Sequence, residues 1–196
     1  MPCKHTGCNT RMTVTNRINW LDTPSRFGLI SRTLHWLMAL LFLWQFFSVI
    51  VWHTFGRTAF TLWMDKQGSH ATVGFLLFIL VIIRALWRGF NRHRYPLSRP
   101  NKANKIAIVG HITLYLLMFV IPFLALLRCY ADGKGVVVMG IPVLPATGIE
   151  IKGITVWIDM MHGPLAWLLL FCIGGHILMA IIHSFIRRDA NLRPMI

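Results

Sequence analysis

Four long apolar stretches, Ile30 to Trp52, His70 to Gly89, Lys105 to Arg128 and Trp157 to Ile186, set the limits on what this chain can become. Each can cross a bilayer core, which takes about 20 helical residues. In hydrocarbon every backbone N–H and C=O must be satisfied within the spanning structure, so apolar runs of this length become helices. The predicted fold is therefore all-α: an integral membrane four-helix bundle, with residues 26–196 as one four-transmembrane-helix domain. The chain is 56% hydrophobic over 196 residues, with a mean hydropathy of +0.60. That excludes an ordinary soluble domain and leaves little chain for a second one. The fourth stretch is longer than a bilayer requires, so its Ile182 to Arg188 end is expected to protrude or tilt. The first is too long for the apolar part of a cleaved signal peptide and has no small-residue cleavage site after it, so it is expected to be retained. Pro122, deep in the third, is expected to kink its helix and open room inside the bundle.

Charge sets the orientation. A net charge of +14 would suit nucleic acid only if the basic residues shared one soluble face. Here they lie between the apolar stretches, so the expected surroundings are membrane lipid and no nucleic-acid partner is predicted. Fifteen of the 20 Lys and Arg fall in the N-terminal segment, the connection from Arg84 to Lys105 and the C-terminal tail. The other two connections hold Arg57, Lys66, Arg128, Lys134 and Lys152. Lys and Arg stay preferentially on the cytoplasmic side, which predicts that both termini are cytoplasmic. Residues 1–25 are polar and lack apolar periodicity, and are read as a disordered extension. Within them Cys3, His5 and Cys8 lack a nearby fourth metal ligand. The spread of Cys3, Cys8, Cys129 and Cys172 does not resemble a disulfide framework. The glycine-rich 131–156 connection, with Pro142 and Pro145, is expected to be an outer loop with some structure of its own.

Histidines carry the chemistry. An ionisable side chain inside a membrane is costly unless it has a partner, so intramembrane histidines are functional candidates. His162 and His176 are 14 residues apart, which on a helix is about 21 Å of rise and about 40° short of four full turns. Both therefore face the same way, His162 near the outer boundary and His176 near the inner one. His70, opening the second stretch from the outside, is level with His162. His35, about one turn into the first, is level with His176. Two histidines at one depth on different helices can hold a haem iron from both faces, a closed arrangement suited to electron transfer. The predicted cofactors are two such haems, with His35 and His176 on the cytoplasmic-side iron and His70 and His162 on the periplasmic-side iron. No third ligand at either level completes a tetrahedral metal site. The alternative, histidines that only hydrogen-bond between helices, must explain a coincidence of four depths. His53 is a rival to His70, and His111 to His35 or His176, although a hydrogen-bonding role is preferred for His111. His183, two turns after His176, with Arg187 a turn further, suits a quinone site in which an imidazole bonds a carbonyl and relays a proton.

Ser31-Arg32-Thr33-Leu34-His35-Trp36 in the first stretch and Gly68-Ser69-His70-Ala71-Thr72-Val73-Gly74 at the second resemble the bacterial cytochrome b561 family. Gly110-His111-Ile112-Thr113-Leu114-Tyr115 and Pro122 in the third, and His162 with His176 in the fourth, are similar to it as well. The resemblance covers roughly Arg26 to the C-terminus; the 25 residues before it depart from the family. It implies a di-haem b protein of the bacterial inner membrane with the ligand pairs just given. It further implies two roles. One is a superoxide:ubiquinone oxidoreductase, taking electrons from superoxide at the periplasmic face and passing them to ubiquinone. The other is a cytochrome b anchor subunit carrying electrons from a periplasmic redox protein, a dehydrogenase or hydrogenase, to quinone. For the first role the outer basic residues are expected to steer an anion towards the outer haem. For the second, residues 136–139 and 141–144 offer a modest apolar docking patch.

Overall fold

The computed structural model describes residues 20–23, 27–67, 69–91, 93, 102–138, 140–182 and 185. Along the chain come α1 (Leu29–Phe55), α2 (Ala59–Gln67), α3 (His70–Phe90), α4 (Lys102–Ala131), β1 (Val136–Val138), β2 (Ile141–Leu144) and α5 (Lys152–Ile181). Helices α1, α3, α4 and α5 are long and apolar enough to cross a membrane, α3 together with α2. Large apolar side chains face outward along them: Leu43 is 68% exposed, Ile106 71% and Phe171 78%. A helix that is apolar on its outer face too needs an apolar surrounding, which here is lipid.

The helices pack in the ring order α1, α3, α4, α5, with close backbone approach of α1 to α3, α3 to α4 and α4 to α5. Met38 of α1 with Val73, Leu77 and Val81 of α3 forms one buried cluster. Leu114, Leu117 and Ile121 of α4 with Leu169 of α5 forms the other. Lipid tails are as apolar as these side chains, so fit rather than water exclusion holds the helices together. Arg128 of α4 adds a forked ion pair, Nε to Asp159 Oδ1 and Nη2 to Oδ2 at 3.1 Å, that ties α4 to α5.

Several boundaries differ from the sequence expectation. Asp22 is buried, accepting from Gly28 N at 2.7 Å and Ser31 Oγ at 2.9 Å. Residues 20–23 are thus part of the fold rather than of a disordered extension ending at 25, because Asp22 satisfies donors at the start of α1. Residues 1–19 and 24–26, with Cys3, His5 and Cys8, lie outside the described residues. α2 is an additional helix, started by reciprocal bonds between Thr58 and Thr61. α5 begins at Lys152 rather than Trp157, since Thr155 and Ile158 are buried in the bundle. α4 runs helical through Pro122, which lines a cavity between the helices.

The 131–156 connection is ordered by β1 and β2, paired antiparallel with Val138 opposite Ile141. Gly133 and Gly135 have φ of 74° and 71°, and a Cβ on Gly135 would stand 2.6 Å from Leu144 O. Only glycine gives both that backbone conformation and that approach.

Candidate functional site

Helix geometry places two histidines of α5 at two levels, and the bundle supplies a facing imidazole at each. His70, the first residue of α3, has its ring centre 6.1 Å from that of His162, with planes at 75°. His35 of α1 lies 6.5 Å from His176, with planes at 76°. The structure thus brings together the four histidines singled out from the sequence, in the pairs their depths dictated. The His70–His162 pair lies at the hairpin end of the bundle and the His35–His176 pair towards the opposite, terminus-side end.

An imidazole nitrogen bonds a metal at about 2.0 Å, so its ring centre stands about 3 Å away and two rings flanking one metal are roughly 6 Å apart. Both pairs meet that span. Ring contact alone covers about 4.5–7 Å, so the space beside the rings is the sharper test. At the hairpin end a cavity of about 540 Å³ opens against His70 and His162. It falls in the range of about 300–1,000 Å³ typical of cofactor sites. Its walls are mainly apolar, with Phe42 and Phe46 of α1, Leu77 of α3, Ile121 of α4 and Leu169 of α5. Met64 of α2 and Val136 of β1 line it at the hairpin end. Among the described residues no group of three His, Cys, Asp or Glu converges as a metal-ion site. Two facing imidazoles and an apolar chamber are the donor set and walls that an iron porphyrin requires, so the residues at the hairpin end fit haem.

The competing histidines are placed clearly. His53 is exposed and lies on the cavity wall, while His70 holds the place opposite His162. His111 pairs its Nδ1 with Ala107 O at 2.6 Å, and its ring packs 5.4 Å from that of His176. It therefore has a hydrogen-bonding partner of its own beside the terminus-side pair. His93 is exposed. His183 and Arg187 lie outside the described residues.

Gln45 was not foreseen from the sequence. Its amide nitrogen lies 2.9 Å from His70 Nδ1 and donates to His70 O at 3.0 Å, while its Oε1 is buried with no hydrogen-bond partner among the described residues. A polar residue inside an apolar run was the available signal; its partner, 25 residues away, was not visible. Anion steering by the outer basic residues requires correction at two positions. Arg128 is committed to Asp159, and Lys134 pairs with Asp132 at 2.7 Å. Asp132 also holds the Lys134 ammonium charged to higher pH than usual. A cation already paired contributes little field to an approaching anion.

Comparison with known proteins adds to this geometry. The family described as prokaryotic cytochrome b561 matches residues 26–196. The chain is similar to cytochrome b561 homolog 2 of Escherichia coli (strain K12), 32% identical over 181 residues, which are 91% of this chain and 95% of that protein. It is also similar to probable superoxide oxidase CybB of Yersinia pestis, 25% identical over 173 residues, which are 87% of this chain and 95% of that one.

Proposed function

The chain belongs to the prokaryotic cytochrome b561 family, a multi-pass membrane electron-transfer protein, and from this we propose that it carries electrons between two haem b groups to ubiquinone. His70 with His162, and His35 with His176, are the proposed axial ligands. Held by these imidazoles, haem b would supply one-electron chemistry. The observation that carries this reading is the pair of cross-bundle imidazole couples at iron-spanning distance, one of them facing a cofactor-sized apolar cavity.

The chain's own residues have distinct tasks in this reading. The four imidazoles hold and orient the iron. Phe42, Phe46 and Leu77 exclude water, which with the axial ligands sets the potential. The proposed setting is the bacterial inner membrane with both termini cytoplasmic, after the bias of Lys and Arg. The hairpin end then faces the periplasm and the electron donor. Superoxide is the proposed donor, supported by the relative named probable superoxide oxidase. His183 and Arg187, seven and eleven residues after His176 in the sequence, are proposed to bind the quinone and return protons to it.

The ligand assignment is tested with purified His70→Ala and His176→Ala. Each should lose a different b-type absorbance component, and unchanged spectra in both would reject it. Oxidised protein given a superoxide source should show haem reduction. A second reading, the membrane subunit of a periplasmic dehydrogenase or hydrogenase, is favoured by one observation: Val137 and Ile141 of the hairpin are each 66% exposed. Absence of reduction by superoxide, together with co-purification of a flavoprotein or iron–sulfur protein, would select it.

A further inference from the structure

The stretch from Ala59 to Phe90 is 32 residues long, about 48 Å as continuous helix, against a hydrocarbon core of about 30 Å. α3 alone has 21 residues and covers about 31 Å. It is long enough to cross unaided, which leaves α2 at the hairpin-end boundary of the bilayer. The two are separate helices, because the Ser69 side chain caps α3 by accepting from Thr72 N at 3.3 Å. At its other end α2 is pinned to Gly56, the residue that ends α1. Thr61 Oγ1 donates to Gly56 O at 2.9 Å and accepts from Thr58 N at 2.8 Å. These bonds fix which way each side of α2 points.

α2 has three faces. Thr61 and Met64 are buried and line the hairpin-end cavity. About 100° round the helix from them stand Phe60 and Trp63, each 53% exposed, their rings stacked at 6.1 Å with planes at 18°. The remaining side carries exposed Asp65 and Lys66, with Leu62 between them. One face thus meets the bundle, one is aromatic and one is charged. Neighbouring helices show what lies against the aromatic face. At the same end of the bundle α1 exposes Trp52, α4 Tyr130 and α5 Trp157. Trp and Tyr gather where the hydrocarbon gives way to headgroups, because their rings join an apolar body to a polar edge. The Phe60–Trp63 pair continues that belt.

We propose that α2 is an interfacial helix whose Phe60–Trp63 face docks on the phospholipid boundary at the hairpin end, holding its Thr61–Met64 face as a wall of the cavity. The proposal rests on the membrane-spanning fold and not on the haem assignment. A helix of this kind lies in the plane of the interface, with its apolar face about 5–10 Å into the headgroup boundary and its charged face in water. Asp65 and Lys66 cancel in charge, so the aromatic face supplies the attachment and no anionic headgroup is required.

The test attaches a nitroxide to the full chain, as purified, in phosphatidylcholine nanodiscs, at Trp63→Cys and separately at Lys66→Cys. The parent chain, treated in the same way, gives the background from its own cysteines. Collisions are then measured with oxygen, which concentrates in lipid, and with a nickel chelate, which stays in water. Oxygen should dominate at position 63 and the nickel chelate at position 66, and adding phosphatidylglycerol should leave that contrast unchanged. Nickel-chelate collisions dominating at both positions would put α2 in water and overturn the proposal. Oxygen dominating at both would overturn it in favour of α2 as a continuation of the α3 span. A label at position 63 shielded from both reagents would mean that a protein, a second copy or a redox partner, covers the aromatic face, and would also overturn it. A contrast that appears only with phosphatidylglycerol would overturn the attachment by the aromatic face. Should Trp63→Cys fail to accumulate, Phe60→Cys takes its place with the same expected results.

Discussion

Gln45 stands where α1 meets the first residue of α3, and its amide nitrogen is within hydrogen-bonding distance of the His70 ring. Groups that orient a metal-binding imidazole commonly change metal retention by 10–100-fold when removed. Gln45→Leu should therefore weaken haem retention at the hairpin-side pair by about tenfold, leaving the terminus-side component alone. Haem loss on dilution, followed by absorbance, checks this; equal loss of both components would place Gln45 outside the site. At this scale the histidines were legible and Gln45 was not. Depth along a straight helix follows from residue number, so His35, His70, His162 and His176 sort into levels before any contact is known. A side-chain bond between α1 and α3 depends on how the two helices are rotated against each other, and no spacing in either segment encodes that.

The spanning helices were readable because each is a single apolar run, and a bilayer permits few other structures. The short elements were not, since tertiary contacts hold them. α2 had a local signature in Thr58 and Thr61, whose hydroxyls exchange bonds with each other's backbone N–H groups, but nine residues of mixed polarity carry little periodic signal. The hairpin depends on Gly135 holding a positive φ against Leu144. Gly135→Ala should destabilise the connection by about 1–2 kcal/mol from the backbone conformation alone, with the close approach to Leu144 O adding to it. Limited proteolysis should then cut the 131–151 segment faster in the variant while both b-type components persist. Unchanged cleavage would mean that the strands hold without this glycine. Asp22 was missed for a related reason: an acid in a polar segment looks solvated until the start of α1 is seen to fold back onto it.

For the whole molecule, both buried clusters join neighbouring helices of the ring, α1 with α3 and α4 with α5. The two histidine pairs instead span from α5 to the α1–α3 side. Phe42 of α1 and Met118 of α4 pack against both clusters, and the proposed irons add a further link from α5 to α1 and α3. Haem should accordingly stabilise the fold by mass action, because it binds the assembled bundle and not the unfolded chain. Thermal unfolding in detergent should be lower in His70→Ala and His176→Ala than in the parent chain, and lower still in the double variant. If both haems contribute only redox chemistry, the four midpoints will coincide. The pair assignment itself is tested most directly by a pyridine haemochrome spectrum with haem counted per polypeptide. Two b-type haems per chain, falling to one in each of these single-histidine variants, is the predicted result. A colourless chain, or one whose count does not change on removing either histidine, would contradict it.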